Sequence, residues 1–278
     1  MQEEKGVQTA RDYYNSPSAE GFYSTFWGGE DLHIGIYETG EESIRQASRR
    51  TVERMAEQVD LSSETRVLDI GAGYGGSARH LSSAFRCPTV CLNLSEVQND
   101  RNRRLTSQQG LSELVSVVEG NFEELPFEDG SFQVVWSQDA MLHSGRRARI
   151  LREVARVLDE GGVFIFTDPM QADDADPTLL SPVLERLNLD SLASPAFYRT
   201  AAADVGLEEQ GFLDLSQHLW KHYGRVLEEL TAEDARARAV SGDEYVDRMK
   251  RGLENWVAAG KSGALTWGVF RFQKGVNL

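Results

Sequence analysis

The chain has 278 residues, with 29 basic and 44 acidic side chains that give a formal charge of −15. That balance excludes a patch-driven nucleic-acid binder, which needs clustered Lys and Arg to meet phosphate, and the 40% apolar content with five Trp excludes a disordered chain. The length suffices for one large core, or for a core domain carrying a sizeable insertion.

Lys supplies only five of the basic residues (Lys5, Lys221, Lys250, Lys261 and Lys274) and Arg the other 24. An acidic, Lys-poor surface suits a protein in concentrated salt; a GC-rich genome, which favours Arg codons, gives the same bias. Cys87 and Cys91 neither build a disulfide framework nor supply a metal cluster, so a reducing cytoplasm is the expected location. The opening MQEEKGVQTARDYY has no apolar run of the signal-peptide kind. No stretch approaches the ~18 apolar residues of a membrane span, so neither a membrane nor a nucleic acid is expected as partner.

Residues 1–60 open on an aromatic-rich cap containing Tyr13, Tyr14, Phe22, Tyr23, Phe26 and Trp27, followed by a long polar helix predicted over 42–59. From 61 to 170, short apolar runs alternate with helical patterns, as in a parallel sheet covered by helices. The predicted strands are 65–70, 89–94, 115–119, 132–137 and 163–167, and the helices between them 76–85, 96–109 and 146–158. Ser95 before Glu96, with Gln98 three residues on, reads as a capping box. Ile150, Leu151, Val154, Val157 and Leu158 form an apolar stripe that Gly161 and Gly162 stop. Residues 171–278 begin with an acidic, Pro-containing segment at 173–182. A helix over 196–205, a strand over 212–215, a polar helical insertion over about 217–262 and a closing strand over 264–272 follow. These elements predict a single α/β domain whose N-terminal cap and late insertion cover a site.

The stretch Val67-Leu68-Asp69-Ile70-Gly71-Ala72-Gly73-Tyr74-Gly75-Gly76 is a strand ending in a glycine turn that enters a helix. Such turns let backbone approach a ligand and aim helix amides at it. Gly71, Gly73 and Gly76 also fit the G-x-G-x-x-G of dinucleotide sites, so a nicotinamide or flavin enzyme competes. Asp69, however, suits a cationic amino group and would repel a diphosphate. The segment Glu119-Gly120-Asn121-Phe122-Glu123-Glu124-Leu125-Pro126-Phe127-Glu128-Asp129-Gly130-Ser131-Phe132 resembles the G-D-x-x-x-L-P-F-x-D-x-S-F-D segment of class I S-adenosylmethionine-dependent methyltransferases. The resemblance implies their Rossmann-like fold: a seven-stranded, mostly parallel sheet with helices on both faces. It also implies S-adenosylmethionine as cofactor, leaving as S-adenosylhomocysteine. Asp69, Gly71, Ala72 and Gly73 are then expected at the glycine loop, Asn93 at the ribose and Asn121 near the adenine. Trp27, Leu94, Gln98, Phe122, Ser137 and Gln138 are the other expected contacts. Asn93 and Asn121 stand where the family usually carries acids; an amide can accept from one ribose hydroxyl and donate to the other.

A closer resemblance lies in Leu92-Asn93-Leu94-Ser95-Glu96-Val97-Gln98-Asn99, Trp136-Ser137-Gln138-Asp139-Ala140-Met141-Leu142-His143-Ser144 and Thr167-Asp168-Pro169-Met170. With Phe22-Tyr23-Ser24-Thr25-Phe26-Trp27-Gly28-Gly29, and extending to Leu265-Thr266-Trp267-Gly268, these are similar to sarcosine/dimethylglycine N-methyltransferases, which make glycine betaine. Small-amine methyltransferases acting on phosphoethanolamine share the Asp-Ala-x-x-His spacing and a Tyr in the cap.

An aliphatic amine is mostly protonated at neutral pH, by analogy with Lys at about 10, and an ammonium has no lone pair with which to attack a sulfonium methyl. His143 is the expected proton acceptor, with Asp139 orienting it if the turn is helical and Tyr23 closing a Tyr-His pair over the acceptor. Aromatic faces stabilise the product's fixed charge; Tyr23, Trp27, Tyr198 and Tyr223 are candidates. Pro169 and Met170 offer apolar surface for N-methyl groups, favouring sarcosine and dimethylglycine over glycine. For the acceptor carboxylate, a guanidinium is expected, first Arg199 beside Tyr198, then Arg45 or Arg49. His218 and His222 have metal-like spacing but no third ligand, so no metal is expected. A methyltransferase for another small acceptor and a non-catalytic cofactor-binding protein are the alternatives, with either a monomer or a homodimer.

Overall fold

The computed structural model describes residues 11, 15–27, 29–187 and 189–276; Tyr13, Tyr14 and Gly28 lie outside them. Its strands are β1 (Val67–Ile70), β2 (Thr89–Asn93), β3 (Val115–Glu119), β4 (Phe132–Gln138), β5 (Leu158–Thr167), β6 (Met170–Gln171), β7 (Leu207–Asp214), β8 (Leu265–Thr266) and β9 (Gly268–Lys274). Its helices are α1 (Pro17–Phe26), α2 (Ile44–Ala56), α3 (Gly76–Phe85), α4 (Glu96–Gln108), α5 (Arg147–Val157), α6 (Pro177–Leu187), α7 (Pro195–Ala203), α8 (Ser216–Ala232), α9 (Asp234–Ser241) and α10 (Asp243–Lys261). One seven-stranded sheet has the order β3-β2-β1-β4-β5-β9-β7, and β6 pairs with β8 in a small second one. β1 to β5 pair in parallel, whereas β9 is antiparallel to both its neighbours. The implied class I methyltransferase fold is thus the one observed.

The central strands are apolar on both faces because helices cover both sides; all four residues of β1 are buried. The α5 stripe Ile150, Leu151, Val154 and Val157 is wholly buried against that sheet. Most predicted boundaries shift by one to three residues, and three departures are larger. β5 begins at Leu158 rather than 163, and Gly161, at φ +73°, serves a bulge where the pairing jumps from Phe132–Leu158 to Val134–Val163. β7 extends back to Leu207 through Glu208 and Glu209, polar residues tolerated because it is an edge strand. The predicted closing strand breaks at Trp267 into β8 and β9, which pair with different partners. The aromatic opening forms α1, capped by Ser16 with Pro17 in its first turn, and it buries Phe22, Tyr23 and Phe26. At α4 only half of the expected capping box forms: Ser95 accepts from the Gln98 N–H, while the Gln98 side chain accepts from Asn93.

The cap and the insertion share one core. Phe22, Trp27, Leu219, Tyr223, Val226, Val246, Leu253 and Trp256 pack in a single cluster over the carboxyl edge of the sheet. Among the described residues no helix is long and apolar enough to cross a membrane, and no three His, Cys, Asp or Glu are grouped to hold a metal ion.

Just past β5, wholly buried Asp168 accepts from the Tyr198 hydroxyl at 2.7 Å and from the Leu142 N–H at 3.0 Å. Burial pushes its carboxyl up to about 7, against the pull of the Tyr198 hydroxyl. Tyr198→Phe should therefore cost about 1–3 kcal/mol, more at pH 8, where the carboxylate is ionised, than at pH 6. Urea unfolding at the two pH values measures the difference.

Candidate active site

Residues 31–37 carry no helix or strand, yet Asp31, His33, Ile34, Gly35, Ile36 and Tyr37 are buried. Backbone of that kind must find its hydrogen bonds in side chains or neighbouring loops. Ile34 N–H donates to Asp139 Oδ2 at 2.7 Å, Gly35 N–H to His222 Nδ1 at 3.1 Å and Tyr37 N–H to His218 Nδ1 at 3.1 Å. Ile36 N–H donates to the Ala47 carbonyl at 3.0 Å. The carbonyls of His33, Ile34 and Ile36 accept from Ser48, Thr51 and Arg50 of α2. His222 accepts at Nδ1, so its neutral ring carries the proton on Nε2; burial pushes its pKa down to about 3.

This strap roofs a cavity that encloses about 860 Å³, including space open to solvent. Asp69, Gly71, Ala72 and Gly73 form its floor; Asn93, Leu94 and Gln98 stand on one side, Phe122, Gln138 and Ala140 on the other, with Arg11 at the rim. Gly71 has φ +77°, and a Cβ there would collide with Ala140. At Gly76 the Asp31 carboxylate and Glu30 carbonyl occupy the place of a Cβ, so the strap rests directly on the start of α3. Burial, with help from the nearby Asp31 charge, raises Asp69 to about 7. Gln138 Oε1 accepts from Ser77 and Trp136, and its Nε2 is buried without a partner.

Tyr23, Leu32, His33, Asp139 and His143 are common to this cavity and to an inner chamber of about 440 Å³, likewise counting space open to solvent. The chamber's further walls are aromatic: Trp27 lies 5.7 Å from Tyr223, and Tyr223 stacks on Trp256 at 4.7 Å, between ring centroids. His143 ends a 3₁₀ turn, Met141–His143, which the Asp168 carboxylate anchors through Leu142.

A methyltransferase-domain family model matches residues 68–166. Over 274 residues the chain is 49% identical to a sarcosine/dimethylglycine N-methyltransferase of Halorhodospira halochloris, covering 98% of each. It is 54% identical over 263 residues to a glycine/sarcosine/dimethylglycine N-methyltransferase of Actinopolyspora halophila, covering 95% of this chain but 46% of that protein, so it spans about half of that relative's length. The chain belongs to the sarcosine/dimethylglycine N-methyltransferase family. A crystal structure assigned as a sarcosine dimethylglycine methyltransferase from Galdieria sulphuraria superposes on it with a TM-score of 0.90 at 39% identity, covering 96% of this chain and all of that one.

The methyltransferase brings most of the expected residues together, but not all. Asp69, Gly71, Ala72, Gly73, Asn93, Leu94, Gln98, Phe122 and Gln138 line the glycine-loop cavity. Tyr23, Asp139 and His143 sit at the junction, and Trp27 and Pro169 line the chamber only. Asn121 instead accepts from the Glu123 N–H in its own turn, and Ser137 is buried beneath the site, donating to the Ile70 carbonyl. Met170 and Tyr198 are wholly buried in the sheet's core, Met170 within β6 and Tyr198 under Asp168. Arg199 lies on the outside, paired with Glu209 at 2.8 Å and stacked over Phe212. Arg45 and Arg49 reach Glu30 and Asp31. The two Asp139 oxygens accept from Ile34 N–H and from the Trp267 indole, both at 2.7 Å, so its carboxyl group ties the strap to the sheet, and the turn that follows it to His143 is 3₁₀ rather than α-helical.

Asp31, Leu32, His33, Leu142 and Trp256 escaped the sequence reading. The available signal was the run Asp31-Leu32-His33-Ile34-Gly35-Ile36, where polar and apolar residues alternate without a partner strand. His218 and His222, set aside as an incomplete metal pair, hold that run in place.

A carboxyl raised to about 7 by folding, against ~3.9 in an unfolded chain, adds stability below pH ~4 that is lost as pH rises through about 7. Asp69→Asn cannot ionise, so its melting temperature relative to the parent should rise between pH 5 and pH 8. Scanning calorimetry across that range reads the gap, and a constant gap would show that Asp69 is not the titrating group.

Proposed function

We infer that this chain transfers methyl groups from S-adenosylmethionine to sarcosine and dimethylglycine, giving glycine betaine by direct in-line displacement. The observation that carries the inference is the meeting of two unlike cavities at Tyr23, His33, Asp139 and His143. The outer one fits S-adenosylmethionine: Asp69 is a buried carboxylate with no cation among the causes that set its pKa, Gln138 keeps an unused donor, and bare glycines let the ligand approach. Asp69 would take the ammonium, Asn93 and Gln98 the ribose, and Leu94 and Phe122 the adenine. The cofactor supplies a methyl on a positively charged sulfur.

The residues of the inner chamber have the remaining tasks. His143 accepts the proton that the amine must lose. Tyr23 and Leu32 at the junction hold the nitrogen in line, a proximity effect worth several kcal/mol. Faces of Tyr23, at the junction, and Tyr223, in the chamber wall, stabilise the quaternary nitrogen as it forms. No Lys or Arg lines the chamber among the described residues, so a phosphate dianion would lose its hydration without compensation; this disfavours a phosphoethanolamine-type acceptor. We read the protein as cytoplasmic and as acting on a small amine, as a monomer or a homodimer.

Release of S-adenosylhomocysteine measured across glycine, sarcosine, dimethylglycine and phosphoethanolamine should be fastest with the two middle acceptors. No turnover of either would sink the inference. His143→Ala should lower kcat by about 10²–10⁴-fold with S-adenosylmethionine affinity nearly unchanged; a loss confined to cofactor binding would reassign His143.

A further inference from the structure

Four of the five Trp residues are buried, and they differ in what their indole N–H groups meet. Trp136 donates to Gln138 at 2.8 Å and Trp267 to Asp139 at 2.7 Å. Trp27, 5% exposed, and Trp256, wholly buried, have no acceptor for Nε1 among the described residues. These two are the tryptophans that line the inner chamber. An indole is a donor only, and a buried donor without an acceptor is costly unless a ligand completes it. The two rings come from opposite ends of the chain and are joined through Tyr223, which contacts both.

The chamber is polar in one direction. At its junction with the glycine-loop cavity lies the Asp139 carboxylate, which suits a nitrogen carrying or gaining positive charge. Trp27 and Trp256 line only the chamber, away from the glycine loop. The guanidinium expected for the acceptor's carboxylate is not there, since Arg199 faces Glu209 on the outside.

We propose that the acceptor's carboxylate is bound by the indole N–H groups of Trp27 and Trp256, a neutral donor pair in place of an arginine. This rests on the methylated-glycine reading above. The carboxylate is unchanged by the reaction, so its contacts bind ground state, transition state and product alike; their loss should appear in KM and in product affinity, with little change in kcat.

Phenylalanine keeps an aromatic face and removes the N–H, so Trp27→Phe and Trp256→Phe isolate the donor. Each should raise KM for dimethylglycine about tenfold or more, the scale of a hydrogen bond to a charged group. Calorimetric affinity for glycine betaine, with S-adenosylhomocysteine bound, should weaken in parallel. Affinity for choline, which has no carboxylate, and for S-adenosylhomocysteine itself should stay within twofold. Equal weakening for choline and betaine would overturn the proposal and leave the rings as packing. In the unsubstituted protein, two of the five indole N–H resonances should move downfield on adding betaine and stay put with choline. That titration decides the matter even if a variant fails to fold, because unmoved indoles in a betaine-bound protein exclude the contact. A parent protein that binds no methylated glycine refutes the proposed function instead.

Discussion

Asp139 is the point at which three distant stretches of chain are tied. It leaves β4 in a left-handed conformation, φ +51°, with its N–H on the Thr167 carbonyl at the end of β5. One carboxylate oxygen accepts from Ile34, 105 residues away, and the other from Trp267, 128 residues away. Burial pushes its carboxyl up, while His33 and these two donors pull it back toward the charged form. Removing that acceptor would orphan a buried amide and a buried indole together. The strap would lose this hold on the end of β4, and Trp267, between β8 and β9, its side-chain partner. Because the strap roofs one cavity and walls the other, this group bears on both, together with the bonds that α2, His218 and His222 make to the strap.

The two cavities are built from different parts of the sequence. Strand ends and the glycine turn make the outer floor, all within the stretch that the methyltransferase-domain model matches. Trp27, His33, Tyr223 and Trp256, which shape the inner chamber, lie outside that stretch. The outer cavity is thus built mainly by the shared sheet, and the inner chamber's aromatic walls by the cap and insertion. The neutral imidazoles of His218 and His222 connect the two, since they rise from the insertion and accept from the strap.

The sheet was legible because its signals are local. β1 to β4 follow apolar runs bounded by turn residues, and the helix that the glycine turn starts spans the predicted 76–85. The lining of the outer cavity was legible for the same reason, since Asp69, Gly71 and Asn93 sit at fixed places on strand ends. The strap was not. Its conformation is set by partners about 10 to 190 residues away, and nothing in Asp31-Leu32-His33 announces that His218, His222 and Asp139 will satisfy it. Arg199 misled for a related reason: the sequence placed it beside Tyr198, but a helix turns adjacent side chains to different sides. Tyr198 went to the core and Arg199 to solvent.

The order of β9 and β7 in the sheet bears on how the protein comes into being on the ribosome. β9, the last strand of the chain, lies between β5 and β7, and Gly35 waits for an acceptor that is 187 residues downstream. At ~5–20 residues per second, translation leaves the strap's amides facing water for roughly 10–40 s before His222 emerges. The nascent chain can form β1 to β5 around its glycine turn early, but the chamber closes only after Tyr223 and Trp256 have emerged. A ribosome stalled in the insertion would hold a chain with the floor of the outer cavity in place and the inner chamber still unwalled.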